Sequence, residues 1–156
     1  MIAALVIAAA CVLPPVPGPI VQPFRAPACT YCRGHRGVEY APPAGTPVTA
    51  VAGGRVTFAG QVAGTLYVVV AQPDGLTATY GFLLAIGVRR GQAVAAGTVV
   101  GKSTNRLYFG WKRDGLPVDP TSALTGRPGP PALVPTDGTR SRVVAWRACA
   151  VGGGSR

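Results

Sequence analysis

Thr65-Leu66-Tyr67-Val68-Val69-Val70-Ala71-Gln72-Pro73-Asp74-Gly75-Leu76-Thr77-Ala78-Thr79-Tyr80-Gly81-Phe82-Leu83-Leu84 reads as strand, turn, strand. Three successive valines beside Leu66 and Tyr67 favour the pleated, half-buried surface of a strand. Pro73 presets φ for a turn, Gly75 supplies positive φ at no steric cost, and Leu76–Leu84 is the return strand. On either side the pattern continues. Val48–Phe58 reads as a hairpin around Gly53-Gly54. Val88–Gly101 reads as short strands broken at Gly91 and Gly97, and Arg106–Lys112 as the last strong strand, ended at Asp114-Gly115. No segment sustains a helical period. The 22 glycines and 16 prolines suit many short strands and tight turns. The expected fold is all-β, a compact antiparallel sheet or sandwich with little helix.

The 156 residues suffice for one domain with tails, and 48% hydrophobic content suffices for a core. Met1–Ala10 is apolar and ends in three alanines before Cys11, like the apolar region of a secretory signal, although basic residues are missing ahead of it. Ala8-Ala9-Ala10-Cys11 also resembles a loose lipobox, which makes Cys11 a candidate lipid anchor. The run is too short to span a bilayer comfortably, and no other segment is a membrane candidate, so no transmembrane domain is expected. Leu13–Pro27 carries six prolines and reads as an extended linker. The expected organisation is a signal-like segment and linker over 1–20, a β domain over 21–124, and a Pro- and Gly-rich basic tail over 125–156 with a short apolar piece at Val143–Trp146.

The formal net charge is +10, carried by scattered arginines with a cluster at Arg140, Arg142 and Arg147. Such a charge attracts polyanions. Nucleic acid is disfavoured as a partner, because no basic stripe interleaves with aromatics and no nucleic-acid motif is present. Cys11, Cys29, Cys32 and Cys149 favour disulfides in an exported protein, with three possible connectivities. The Cys29–Cys32 spacing could also hold a metal, but a second cysteine pair to complete such a site is missing.

The chain has one histidine, His35, within Gly34-His35-Arg36-Gly37-Val38-Glu39-Tyr40-Ala41. Further segments follow in order: Ala44-Gly45-Thr46-Pro47-Val48, Ala52-Gly53-Gly54-Arg55-Val56, Thr79-Tyr80-Gly81-Phe82-Leu83, Val88–Gly97, Val100-Gly101-Lys102-Ser103-Thr104 and Gly115-Leu116-Pro117-Val118-Asp119-Pro120. Singly each is weak. In this order, from about Val21 to about Leu124, the chain resembles the M23 (LytM-like, lysostaphin-type) zinc peptidase domain. The resemblance implies a groove whose zinc is held by His-x-x-x-Asp and by the second His of His-x-His. Here those positions hold His35, Glu39 and Tyr108. The catalytic histidine positions hold Arg106 and Phe82.

These replacements bear on chemistry. Arg106 cannot lose its proton, so it is neither zinc ligand nor general base. A phenol with an unperturbed pKa of about 10 is a poor ligand near neutral pH. Phe82 carries no proton at all. His35 and Glu39 alone fall short of the three protein ligands typical of catalytic zinc. No catalytic residue, metal or other cofactor is therefore expected. The expected binding groove comprises His35, Glu39, Arg106, Tyr108, Phe82 and Tyr80. Arg106 and Tyr108, two apart on a strand, should face the same side. A buried Glu39 needs a partner, and the Arg106 fork can bind it in bidentate fashion, with Tyr108 or His35 hydrogen-bonded to the pair. His35 also has a plainer reading, as a cap on the Gly34–Gly37 turn. The other tyrosines, Tyr40, Tyr67 and Tyr80, read more readily as packing residues than as sugar-stacking platforms.

The resemblance thus implies an exported domain of the cell envelope or extracellular space that binds peptidoglycan or regulates a cell-wall hydrolase without hydrolysing anything. The alternative is an active metalloendopeptidase cleaving peptidoglycan cross-links. It would hold zinc through His35, Glu39 and Tyr108, or through His35 with Cys29 and Cys32.

Overall fold

The computed structural model describes residues 11–125 and the backbone of residues 147–148. Its strands are β1 (Cys11–Val12), β2 (Ile20–Gln22), β3 (Val38–Tyr40), β4 (Pro47–Thr49), β5 (Gly54–Val62), β6 (Thr65–Ala71), β7 (Leu76–Ile86), β8 (Ala93–Val94), β9 (Val99–Arg113) and β10 (Leu116–Val118). One short helix, α1 (Thr121–Thr125), follows, and then β11 (Arg147–Ala148). The expected 1–10 segment, most of the 125–156 tail with its Val143–Trp146 piece, Arg140 and Arg142, and Cys149 lie outside the described residues.

Nine strands form one antiparallel sheet in the order β2-β3-β9-β7-β6-β5-β8, with β4 and β10 also pairing with β9. The hairpin predicted from Thr65 to Leu84 is present. β6 has the predicted bounds, and β7 runs two residues further, to Ile86. Its turn is closed as the residues require: Gly75 has φ +83°, and the Leu76 amide donates to Asp74 Oδ1 at 3.2 Å. The predicted Arg106–Lys112 strand is the second half of β9, a 15-residue strand that pairs with β3, β4, β7 and β10.

The hairpin expected around Gly53-Gly54 is not formed. β4 pairs with β9, and β5 pairs with β6 instead. The tight turn lies at Ala63-Gly64, both with positive φ (46° and 83°). Gly54 serves close approach rather than a turn, because a β-carbon there would collide with the Ala71 carbonyl oxygen.

Alternation along the strands sorts the sheet into two faces. Val38, Tyr40, Val68, Val70, Ala78, Tyr80, Leu107, Phe109 and Trp111 point into the core. Burying side chains of this size contributes about 1.5–3 kcal/mol each. The proline-rich stretch, expected as an extended linker, bends over residues 15–18 and is packed. Val12 and Val16 belong to the core, Leu13 N–H donates to Val51 O, and Thr49 N–H donates to Pro15 O. The packed structure therefore includes residues ahead of the expected boundary at 21. β1 pairs in parallel with β11. The opposite face of the sheet is open, and it carries the chemistry.

Candidate binding groove

Adjacent β3 and β9 place Glu39 directly across from Tyr108. Val38 and Tyr40 turn into the core, so Glu39 turns to the open face. Two residues before Tyr108, Arg106 reaches back over the same face. Its Nε donates to Glu39 Oε2 and its NH2 to Oε1, both at 2.6 Å. The bidentate ion pair expected from the sequence is therefore formed, and such charge-assisted pairs are the stronger hydrogen bonds in proteins. The Glu39 side chain is only 7% exposed, whereas that of Arg106 is 50% exposed. Hydrogen bonding from Arg106 holds the Glu39 carboxyl below its ordinary pKa, against the opposing effect of burial and with help from His35. The guanidinium also lies over the Phe82 ring, 4.1 Å from its centroid.

His35, rather than Tyr108, supplies the further bond. Its Nε2 lies 3.1 Å from Glu39 Oε1 and its Nδ1 3.0 Å from the Pro23 carbonyl oxygen. Both partners are acceptors, so both contacts are hydrogen bonds only when each ring nitrogen carries a proton. The His35 backbone is fixed by paired bonds to Arg25, each 2.9 Å. The side chain thus ties the 23–25 segment to the groove instead of capping the Gly34–Gly37 turn.

Tyr108 lies flat along the sheet. A β-carbon on Gly37 would come within 2.7 Å of its ring, and one on Gly110 within 2.6 Å of its hydroxyl. The His35 ring meets it edge-on at 6.0 Å. Burial, chiefly, pushes the Tyr108 phenol above its ordinary pKa. Tyr67 covers Gly81 in the same manner, since a β-carbon on Gly81 would come within 2.5 Å of its ring. With Phe58, Val62, Val69 and Thr79 it lines an apolar hollow of about 300 Å³. Tyr67 is thus a groove residue read from sequence as packing. Its alternation with buried Val68, and the glycine opposite, are the signals that could have found it.

Tyr80 does not line the groove. It is fully buried, and its hydroxyl accepts a 2.9 Å bond from the Val51 amide. Phe82, two residues on, nevertheless reaches the groove because it adopts φ +61° at a register shift between β7 and β9. That backbone irregularity breaks the alternation that would have put residues 80 and 82 on one face.

The donors present do not fit a zinc ion. Both Glu39 oxygens are occupied by Arg106 and His35, burial favours the protonated phenol of Tyr108, and Arg106 is a permanent cation with no lone pair to offer a metal. Cys29 and Cys32 form a disulfide, so neither offers a thiolate. Among the described residues, no group of three or more His, Cys, Asp or Glu is placed to hold a metal.

The sheet, its open face and the order of the motifs agree with a zinc-peptidase type of β domain. The chain belongs to peptidase family M23, whose profile matches residues 33–120. An uncharacterized protein of Haemophilus influenzae is 39% identical over 115 residues, covering 68% of this chain and 28% of that protein. The DD-carboxypeptidase/endopeptidase Mpg of Neisseria meningitidis is 34% identical over 101 residues, covering 60% of this chain and 24% of Mpg. Among solved structures, Csd3 of Helicobacter pylori superposes with a TM-score of 0.65 at 27% identity, covering 75% of this chain and 35% of Csd3. The chain spans between 24% and 34% of the length of the curated relatives it matches. Among the described residues, no helix is long and apolar enough to cross a membrane.

Proposed function

We propose that this domain is a non-hydrolysing M23 module, exported to the cell envelope or beyond, that binds peptidoglycan or binds and regulates a cell-wall hydrolase. The observation that carries the reading is the Glu39–Arg106 pair, 2.6 Å at both contacts, between neighbouring strands β3 and β9. It supports a metal-free site because it engages a residue that the resemblance assigns to zinc. An ion pair can replace a metal as a cross-link between β3 and β9, but it cannot polarise a carbonyl or activate water. The tyrosine floor retains a surface for a peptide or sugar. The +10 charge favours an anionic wall. The test is co-sedimentation with purified peptidoglycan sacculi, with soluble fragments measured in the same tubes and, separately, in the presence of an added wall hydrolase. The reading expects either saturable co-sedimentation, weakened by Tyr67→Ala, or a changed rate of the added hydrolase. In both cases it expects no fragment release by the chain alone. Fragment release by the chain alone that stops on zinc chelation overturns it.

Kinship with Mpg, a named carboxypeptidase and endopeptidase, favours the alternative, an active metalloendopeptidase using His35, Glu39 and Tyr108. That reading requires Arg106 to leave both carboxylate oxygens before a metal can bind.

A further inference from the structure

A second concavity opens beside the groove, a cavity of about 480 Å³ between the Cys29–Cys32 loop and the β9–β10 turn. Its walls are apolar at Pro27, Leu116 and Pro117 and include Cys29, and its charged lining residues are Arg36 and Lys112, with no carboxylate among them. The volume falls in the range of ordinary ligand pockets. Arg36 is oriented before any ligand arrives: its NH2 donates to the carbonyls of Thr30 at 2.7 Å and Cys32 at 3.2 Å. Those two bonds leave Nε and NH1 to donate elsewhere. The carbonyls it grips belong to the loop that the disulfide closes. Lys112 follows Tyr108 and Gly110 on the same face of β9, so the pocket continues the groove.

We propose that this pocket binds a carboxylate side chain of an extended acidic peptide segment in a partner protein, and that the Cys29–Cys32 disulfide keeps Arg36 in position to receive it. With NH2 engaged by the loop, Arg36 offers a carboxylate a single charge-assisted N–H contact from Nε or NH1, and Lys112 adds a point charge. Leu116, which is 69% exposed, with Pro27 and Pro117 offers an apolar wall to the residues flanking that carboxylate. A phosphate-rich wall polymer would gain nothing from such a wall, so the observations favour peptide. The inference rests on reading the domain as a binding module and names the chemistry of its partner.

The test titrates the full chain with acetyl-Leu-Glu-Leu-amide and with its glutamine analogue, followed by amide and arginine side-chain NMR shifts. The expected result is saturable shifts at Lys112, Leu116 and Arg36, with the glutamine peptide bound about tenfold more weakly, as for one lost charge-assisted contact. Lys112→Gln, whose side chain makes no bond among the described residues, should lose a similar factor without loss of fold. The double variant Cys29→Ser/Cys32→Ser should also bind more weakly while its thermal midpoint stays close to that of the parent. Equal binding of the two peptides overturns the proposal, as does unchanged binding in Lys112→Gln. Displacement of the peptide by poly(glycerol phosphate) at lower concentration would make this a wall-polymer site and overturn the peptide assignment. Failure here is distinct from failure of the binding-module reading, because sacculus co-sedimentation tested through Tyr67 reads the groove floor and not this pocket.

Discussion

Replacing Arg106 with alanine isolates the ion pair on which the proposed function rests. The substitution removes two 2.6 Å contacts from a carboxylate whose side chain is 7% exposed and leaves it with the 3.1 Å contact to His35. Breaking a fully buried pair costs about 3–5 kcal/mol. Arg106 is 50% exposed, so water screens the pair and partly replaces the guanidinium when it is gone. Lost stacking on Phe82 returns roughly 0.5–1 kcal/mol to the cost. The expected destabilisation is about 2 kcal/mol at neutral pH, read as a lowered urea midpoint with an unchanged m-value. A double-mutant cycle with Glu39→Gln should recover about half or more of it as coupling energy. The pH dependence has a definite sign. Glu39 titrates below its ordinary value of 4.5 in the folded protein, so its contribution is fully present above that ordinary value. It is lost as pH falls through the lowered folded value. The gap between parent and Arg106→Ala should therefore be widest near neutrality and close in acid. A gap below about 0.3 kcal/mol at neutral pH, the level of ordinary surface substitutions, would refute the reasoning. So would a gap that does not change on acidification.

Tyr80→Phe removes the acceptor of the buried Val51 amide and should cost about 1–3 kcal/mol in urea unfolding without altering sacculus or peptide binding. A binding defect at unchanged stability would place Tyr80 in the groove after all. Gly54→Ala forces a β-carbon against the Ala71 carbonyl and should cost about 2 kcal/mol, measured by thermal melting; a neutral outcome would restore Gly54 as a simple turn residue.

The sequence makes the sheet legible where local chemistry and tertiary context agree. Thr65–Ala71 is continuous in strand formers and Pro73-Asp74-Gly75 turns by its own geometry, so neither needs the rest of the protein. Gly53-Gly54 misleads because a glycine that permits close approach looks the same in sequence as one that turns. The Ala63-Gly64 turn lacks an asparagine or aspartate to advertise it. In the groove, Glu39 and Arg106 are legible together because opposite charges on one face of adjacent strands have a strong reason to meet. Tyr80 and Phe82 are not, because the positive φ of Phe82 and the register shift beside it undo the alternation on which the assignment rests. Tyr67 needs the register of the β6–β7 hairpin, which sets Gly81 across from it; the strand pattern of Tyr67 by itself does not show that it lies over a glycine.

The central claim is that the Glu39–Arg106 pair takes the place of zinc chemistry. Metal analysis of purified protein, paired with a peptidoglycan hydrolysis assay on parent and His35→Ala, tests it most directly. The account predicts zinc far below one ion per chain and no hydrolysis in either protein. One zinc per chain supporting hydrolysis in the parent, with both lost in His35→Ala, would contradict it.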